Sequence, residues 1–524
     1  MYYDEHGQEK NNVGVSLNNS MGGFDAVIGN PPWERVQVSD DDFFRPIYFH
    51  ETGKSWSSLS KSAKEKFKSK VLTNEEMKYR YTESKNHVKA LREYFRKKYT
   101  AQGGGTSEMF KLFIERSLCL LSKKSSFGMN LPTAIYSDSQ CADLRKIMFE
   151  HTSIQHILSF INTKAIFKDI HRQFNFCVII LHSCSPTIKF GLSYKLTNLA
   201  EINKKPLLDL SVDLIKQISG DSMTVLEANY QDYKIIKKMQ MFPTLNSKQW
   251  KFTVTREFDM TIDRDLFQPR KSKSSLPLYE GKTITHFNID GPIRYYVELN
   301  KGKKRLCGRD SHKINNFLKK LNLRDNSKFS LDCTYHRLAW RIISNPIDYR
   351  TVYATILPHN VFHGNSLWSV RPKILSNSGQ YIKQHADQEL GYMCGIFNSL
   401  PFDWYIRPMV RLNVTKTIMI KMPIPVFDSS NFHHINISKL AWGIICRNSQ
   451  YSDLKQKLAI TTFDTQEKIT LAEAQISAHA AMIYNLDVTD LKYICKQFRV
   501  FSIKRPNFIQ EVLNSYNVLT RKNA

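Results

Sequence analysis

Residues 24–33, Phe-Asp-Ala-Val-Ile-Gly-Asn-Pro-Pro-Trp, constrain the chain more than any other stretch. An apolar run, Phe24 to Ile28, leads straight into Asn30-Pro31-Pro32-Trp33. Asn30 precedes a proline, which pushes its backbone away from the helical region, and the two prolines fix the next two φ angles and remove two N–H donors. The run is therefore expected to be a strand that stops at a rigid turn. What the turn offers is acceptors. The Asn30 side-chain carbonyl and the Pro31 backbone carbonyl can each accept one N–H of an exocyclic amine, and Trp33 presents a flat face for stacking.

An adenine amino group is a poor nucleophile because its lone pair is conjugated into the ring. Two carbonyl acceptors favour a pyramidal nitrogen whose lone pair can attack a methyl group, with preorganised dipoles stabilising the charge. Inside a duplex that nitrogen is out of reach, so the base has to leave the stack and be held against aromatic side chains. Charge supports a polyanionic partner: 75 Lys and Arg against 48 Asp and Glu leave a net +27. That excess suits nucleic acid, though composition alone does not separate DNA from RNA or anionic lipid.

Organisation along the chain is uneven. From about residue 20 to 185, short apolar runs alternate with helical patterns, as in an α/β parallel-sheet unit, with strands expected at 24–28, 126–131, 154–160 and 174–182. A basic, helical insertion is expected over 60–100, followed by a helix carrying Phe110, Phe113, Ile114, Leu118 and Leu121 towards the sheet. From about 186 to 435 the pattern is irregular and surface-rich, with dense positive charge from Lys301 to Lys328. The tail from about 436 reads as helical, with Asp464 and Glu467 as a capping box ahead of Ile469, Ala472, Ile476, Ala480 and Ile483. The domain boundaries expected are 1–185, 186–435 and 436–524.

Asn30-Pro31-Pro32-Trp33 after a strand resembles the catalytic motif of the amino-group DNA methyltransferases, adenine-specific class. The likeness extends to Phe24–Val36, Gly104–Phe110 with Phe113–Arg116, and Gly128–Ser137, which resemble the methylase of type IIG restriction–modification enzymes. Phe258–Thr261, Leu276–Lys282, Ala354–Asn360 and Asn398–Trp404 resemble that family's target-recognition region, so the resemblance covers most of the chain. It implies S-adenosylmethionine as cofactor, double-stranded DNA as partner, and Asn30, Pro31, Pro32 and Trp33 as catalytic residues. It also implies a second aromatic against the flipped base, with Phe167 the first choice and Phe174 the alternative. The fold implied is a partial Rossmann-like methyltransferase sheet, then a mixed α+β target-recognition domain and a helical tail.

The chain departs from that pattern ahead of the motif. The 23 residues there contain no strand, glycine turn and helix to bind the cofactor, so that half of the sheet is expected to be missing. The strand at 24–28 should then have one bare side, an adhesive edge that another chain would cover. A partner supplying the cofactor-binding half, or a nuclease, is expected.

Other signals are weaker. Lys301, Lys303, Lys304 and Arg305, with Lys319 and Lys320, could follow a phosphate backbone, the bland alternative being a solvated face. The lysines of 60–100 carry the same ambiguity. Gly103–Ser107 lacks the ending that makes a phosphate loop, and Asp265 with Glu280-Gly281-Lys282 imitates a nuclease triad only superficially. His359 and His363 have no zinc-protease context, and the nine scattered cysteines form no CxxC pair, so no metal is predicted. No hydrophobic run is long enough to cross a membrane and no signal peptide is read, which makes a cytoplasmic location the default.

Two functions compete with the adenine-N6 methyltransferase reading. One is a DNA-binding specificity module that is catalytically incomplete by itself. The other is methylation of a protein glutamine amide, which the long basic region after 186 disfavours.

Overall fold

The run before the Asn-Pro-Pro turn is a strand, β1 (Phe24–Gly29), and the other three strands expected nearby are β2 (Leu121–Pro132), β3 (Ser153–Ile161) and β4 (Asn175–His182). The computed structural model describes residues 23–37, 39–102, 107–168, 170–183, 185–250, 252–308, 331–344, 349–375, 381–383, 385–410 and 412–523. By internal contacts the chain divides into Met1–Tyr230 and Gln231–Ala524.

In the first unit, β5 (Lys189–Leu196) and β6 (Leu208–Ser211) carry the sheet past residue 185, giving six strands in the order β1-β2-β4-β3-β5-β6. The sheet is mixed, not parallel throughout. β1 pairs parallel with β2 and β3 parallel with β5, but β4 is antiparallel to both β2 and β3. The reason is local: among its described residues the connection 162–174 holds short turns and no crossover helix, so β4 returns antiparallel. Among the described residues β1 lies at the sheet's edge, with Phe24 54% and Ile28 84% exposed. Its register slips between Phe24 and Ala26, opposite an irregular stretch of β2. Gly23, at φ +151°, lets the backbones meet there, since a Cβ would lie 2.6 Å from the Ser122 nitrogen.

The segment between β1 and β2 builds a helical module of its own. Helices α1 (Asp40–Thr52), α2 (Lys61–Val71) and α3 (Glu75–Lys98) surround Phe44, Tyr48, Trp56 and Val71. Helix α4 (Met109–Leu120) then buries Phe110, Ile114 and Leu118, whereas Phe113, expected on the same face, is exposed. After β2 come the short helix α5 (Ala134–Ser137) and then α6 (Ala142–His151), which packs on β3.

The second unit combines small sheets with a helical bundle. Ala354–Leu357, Arg337–Arg341, Leu367–Val370 and Val254–Thr255 form one antiparallel sheet, in that order. Phe362–His363, Ser275–Tyr279, Tyr295–Glu298 and Phe267–Gln268 form another. Under them Arg337 and Glu257, both buried, pair at 2.6 Å, and the second Glu257 oxygen accepts the His363 N–H at 2.9 Å. Helices Asp387–Phe397, Phe432–Ile445, Gln466–Ile483 and Phe508–Asn523 pack in succession. Gly391 allows the first two to touch, because a Cβ there would lie 2.5 Å from Trp442. The cap of Gln466–Ile483 is Thr465, whose hydroxyl accepts the Lys468 N–H, and not an Asp464–Glu467 box. Asp464 pairs with Lys468 instead, at 2.8 Å. Among the described residues, no helix is long and apolar enough to cross a membrane.

Candidate functional site

The ends of β1, β2 and β3 and the start of β4 meet at one end of the sheet, because the first three run one way and β4 runs back. In open α/β sheets the crevice outside the carboxyl ends of strands is where ligands sit. Asn30 and Pro32 are exposed here, Pro31 is buried beneath them, and Trp33 is half-buried. The corner is thus open to solvent. It is held from behind by the Glu34 carbonyl accepting the Met109 N–H and the Val36 N–H donating to the Ser107 carbonyl, both at 2.9 Å.

Two aromatic layers flank the turn. Trp33 stacks on Phe174, with centroids 5.4 Å apart and planes 15° off parallel. Below them Phe160 and Phe176 stack at 5.1 Å and 9°, and Phe167 meets Phe176 edge-on at 5.0 Å and 71°. The ring facing Trp33 is therefore Phe174, and Phe167 packs with Phe160, Phe176 and Leu196. Phe174 lies at the end of an exposed run, 171–175, while Phe167 is pinned by Asn162. The buried Asn162 amide donates to the carbonyls of Phe167 and Ile170, at 2.8 and 2.9 Å, and accepts the Phe167 N–H at 2.9 Å.

Asn130, near the end of β2, donates its amide N–H to Asn30 Oδ1 at 3.2 Å. No motif singles it out, since it lies 100 residues away inside a mostly apolar run. Register brings it close: Ile28 and Gly29 lie opposite Gly128 and Met129. Two polar atoms at the corner are buried without a hydrogen-bond partner, Asn130 Oδ1 and Trp33 Nε1. Such atoms are uncommon in folded proteins and mark a place where a ligand's polar groups would be satisfied.

Behind the corner Tyr136 of α5, Ser159 of β3 and Glu227 hydrogen-bond one another, with Tyr136 Oη 2.6 Å and Ser159 Oγ 2.6 Å from Glu227 Oε1. Burial, and then the Glu227 charge, push the Tyr136 hydroxyl well above its usual pKa, so it stays a neutral donor.

The basic residues behave differently from one another. Lys301, Lys303 and Lys304 are exposed on a helical segment, 299–308, that buries Leu306. Arg305, also exposed, is engaged by buried Asp263 at 2.5 Å. Lys319 and Lys320 lie outside the described residues. In the helical module Lys64, Lys68 and Lys70 pair with Asp41, Asp40 and Glu51 at 3.2, 2.9 and 3.1 Å, so this part of the basic stretch binds α2 to α1. Glu280 caps the turn 281–283 and is gripped by Arg294, which gives it a structural role. Asn398 lies in the fold's interior, where its side chain both donates to and accepts from the Ala354 backbone. Of Gly103–Ser107, only Ser107 is described.

Residues 80–167 match the family model of the Eco57I restriction-modification methylase. The matched segment runs from within α3 through α4, β2, α6 and β3 to Phe167, and the Asn30–Trp33 turn precedes it. No match is found among curated proteins. Among solved structures, the type IIG restriction endonuclease BpuSI is 12% identical, with a TM-score of 0.29 over 87% of this chain and 54% of that one. The type IIL restriction-modification enzyme MmeI, solved in complex with DNA, is 10% identical, with a TM-score of 0.40 over 91% and 57%. A nuclease-deletion mutant of the type ISP enzyme LlaGI, with a DNA substrate mimic, is 11% identical, with a TM-score of 0.36 over 80% and 41%. The chain thus spans little more than half the length of the first two proteins.

Proposed function

We propose that this chain carries the acceptor-binding and DNA-recognition portion of an adenine-N6 DNA methyltransferase of a restriction–modification system, type IIG-like in organisation. The observation that carries the reading is the solvent-open corner where Asn30, oriented by Asn130, stands beside the Trp33–Phe174 stack. The match of residues 80–167 to a restriction-modification methylase supports it.

In this reading a flipped adenine replaces Phe174 against the Trp33 face, because the two rings are now in direct contact. Asn30 Oδ1 and the Pro31 carbonyl accept the two N–H bonds of the amine and leave its lone pair free to attack. Asn130 keeps the Asn30 oxygen turned towards the base. Phe167 supports the inner aromatic layer, and the exposed Lys301, Lys303 and Lys304 contact phosphates.

S-adenosylmethionine would supply the methyl group. Among the described residues, however, no strand pairs with β1 on its outer side, and no glycine-rich βα cradle for that molecule is formed. The described residues thus offer acceptors and a stacking face that suit a base, and no cradle that suits the cofactor. A partner chain or segment covering that side is part of the proposal.

The test uses the chain expressed together with the coding sequence that adjoins its own, with tritiated S-adenosylmethionine and mixed-sequence duplex, alongside duplex carrying 2-aminopurine. Methyl transfer that falls by about 100-fold or more in Asn30→Ala supports the enzyme. A 2-aminopurine signal that needs Trp33, without transfer, supports the incomplete specificity module. Transfer to a glutamine peptide and not to DNA would sink both.

A further inference from the structure

Within the second unit, His336, His359 and Asp453 come together although 117 positions separate the first from the last. Their ligand atoms all lie within 4.8 Å of one another. The fold makes this meeting unavoidable. Arg337 opens its strand opposite Leu357, the last residue of its neighbour, so His336 and His359 sit just beyond the same end of one antiparallel pair. The two imidazoles lie 3.8 Å apart between centroids, 46° off parallel. His359 is fixed by the turn that follows, where Asn360 takes a left-handed φ of +58° and donates its N–H to the Cys333 carbonyl at 2.8 Å. Asn accepts that conformation more readily than most residues.

The third group arrives from a helical segment anchored on the same strand. The buried Tyr451 hydroxyl donates to the Ile356 carbonyl, and its ring lies 5.7 Å from that of His336. Asp453 follows two residues later, at the start of Ser452–Lys457. His336 is buried, whereas His359 and Asp453 are exposed, so the cluster has a rigid floor and an open mouth. The H-x3-H spacing visible in the sequence is not what forms it. His363 is buried elsewhere, its Nε2 2.8 Å from Ser369 Oγ.

We propose that His336, His359 and Asp453 form a site for a divalent transition metal of the zinc class. Two imidazoles and one carboxylate are a ligand set that suits zinc and leaves a coordination position for water. Ligand atoms around a tetrahedral zinc stand about 3.4 Å apart, from bond lengths near 2.1 Å. The present separations close to that by side-chain rotation of the two exposed groups. A bound ion would tie the edge of the small sheet to the helical segment that follows Tyr451.

The experiment uses the full chain, stripped with chelator, dialysed and titrated with zinc chloride by calorimetry, with thermal melts read in parallel. The expected result is a saturable site whose occupancy raises the melting temperature. His359→Gln and Asp453→Asn each weaken that site by about tenfold or more and remove the rise. Both positions are exposed, so metal-free melts of the variants should superpose on the parent and show that the fold is intact. Cobalt(II) provides a second readout, a visible ligand-field band present in the parent and lost in both variants. Zinc that leaves the parent's melting temperature unchanged, or that binds and stabilises both variants as it does the parent, would overturn the site.

Discussion

Asn130 shows where reading residues along the chain stops. Asn30 is legible because two prolines and an indole follow it directly, and their effects on the backbone are local. Asn130 is illegible because its contact with Asn30 comes from strand register, which no spacing announces. Truncating it removes a buried oxygen that has no partner, so Asn130→Ala should leave the melting temperature within a degree or two or raise it slightly. The same variant should lower the turnover of methyl transfer by about tenfold with little change in KM, because it loosens an acceptor without touching the stacking face. Steady-state kinetics would check this, and an unchanged turnover would remove Asn130 from the site. The aromatic partner was legible only as a pair of alternatives. Which ring faces Trp33 depends on how the loop 162–174 closes, and that is decided by the hydrogen bonds of Asn162. Deeper in the second unit, Glu257→Ala would leave Arg337 buried and uncompensated, so it should cost about 3–5 kcal/mol in urea unfolding.

At the scale of elements, the strands were read well and their directions were not. Four strands were expected within a residue or two of their observed ends, apart from the early start of β2. The antiparallel return of β4 depends on a connection whose length alone does not reveal it. The basic helix α2 is a second case. Its lysines suggest a polyanion, yet three of them face acids on α1, pairings that only the folded module displays. Helices Phe432–Ile445 and Gln466–Ile483 bring His433 and His479 to 2.8 Å between Nδ1 atoms, while His434 Nδ1 accepts the Asp428 N–H. Burial lowers His434 to about 4 and His479 to about 3. Their native values lie below the unfolded value near 6.5, so between those limits the unfolded chain binds more protons. Stability is therefore whole above about pH 6.5 and is lost as pH falls towards 3, by about 1.4 kcal/mol per pH unit for each such histidine. Urea midpoints at pH 7 and pH 5 should differ in that direction, and His479→Phe should flatten the difference.

For the whole molecule, composition spoke clearly about charge and less clearly about layout. An excess of 27 positive charges predicts duplex binding that weakens by roughly a thousandfold or more between about 50 and 200 mM salt. Reversing Lys301, Lys303 and Lys304 to Glu should weaken binding alike for every DNA sequence and reduce the salt slope, as fluorescence anisotropy would show. Contacts divide the chain at Tyr230, a position with no composition shift to mark it, because β5 and β6 extend a sheet that begins at β1. The outermost position of β1 among the described strands has a dynamic consequence as well. A strand hydrogen-bonded along one side frays at lower free energy than its inner neighbours, so the amides of Val27 and Ile28 should exchange with deuterium well ahead of those of Met129 and Leu131. Asn30 hangs from the last residue of that strand and inherits its excursions. If a further strand pairs with β1 there, as the proposed function requires, it would quiet the motion, and the aim of the Asn30 oxygen would be a quantity set by assembly.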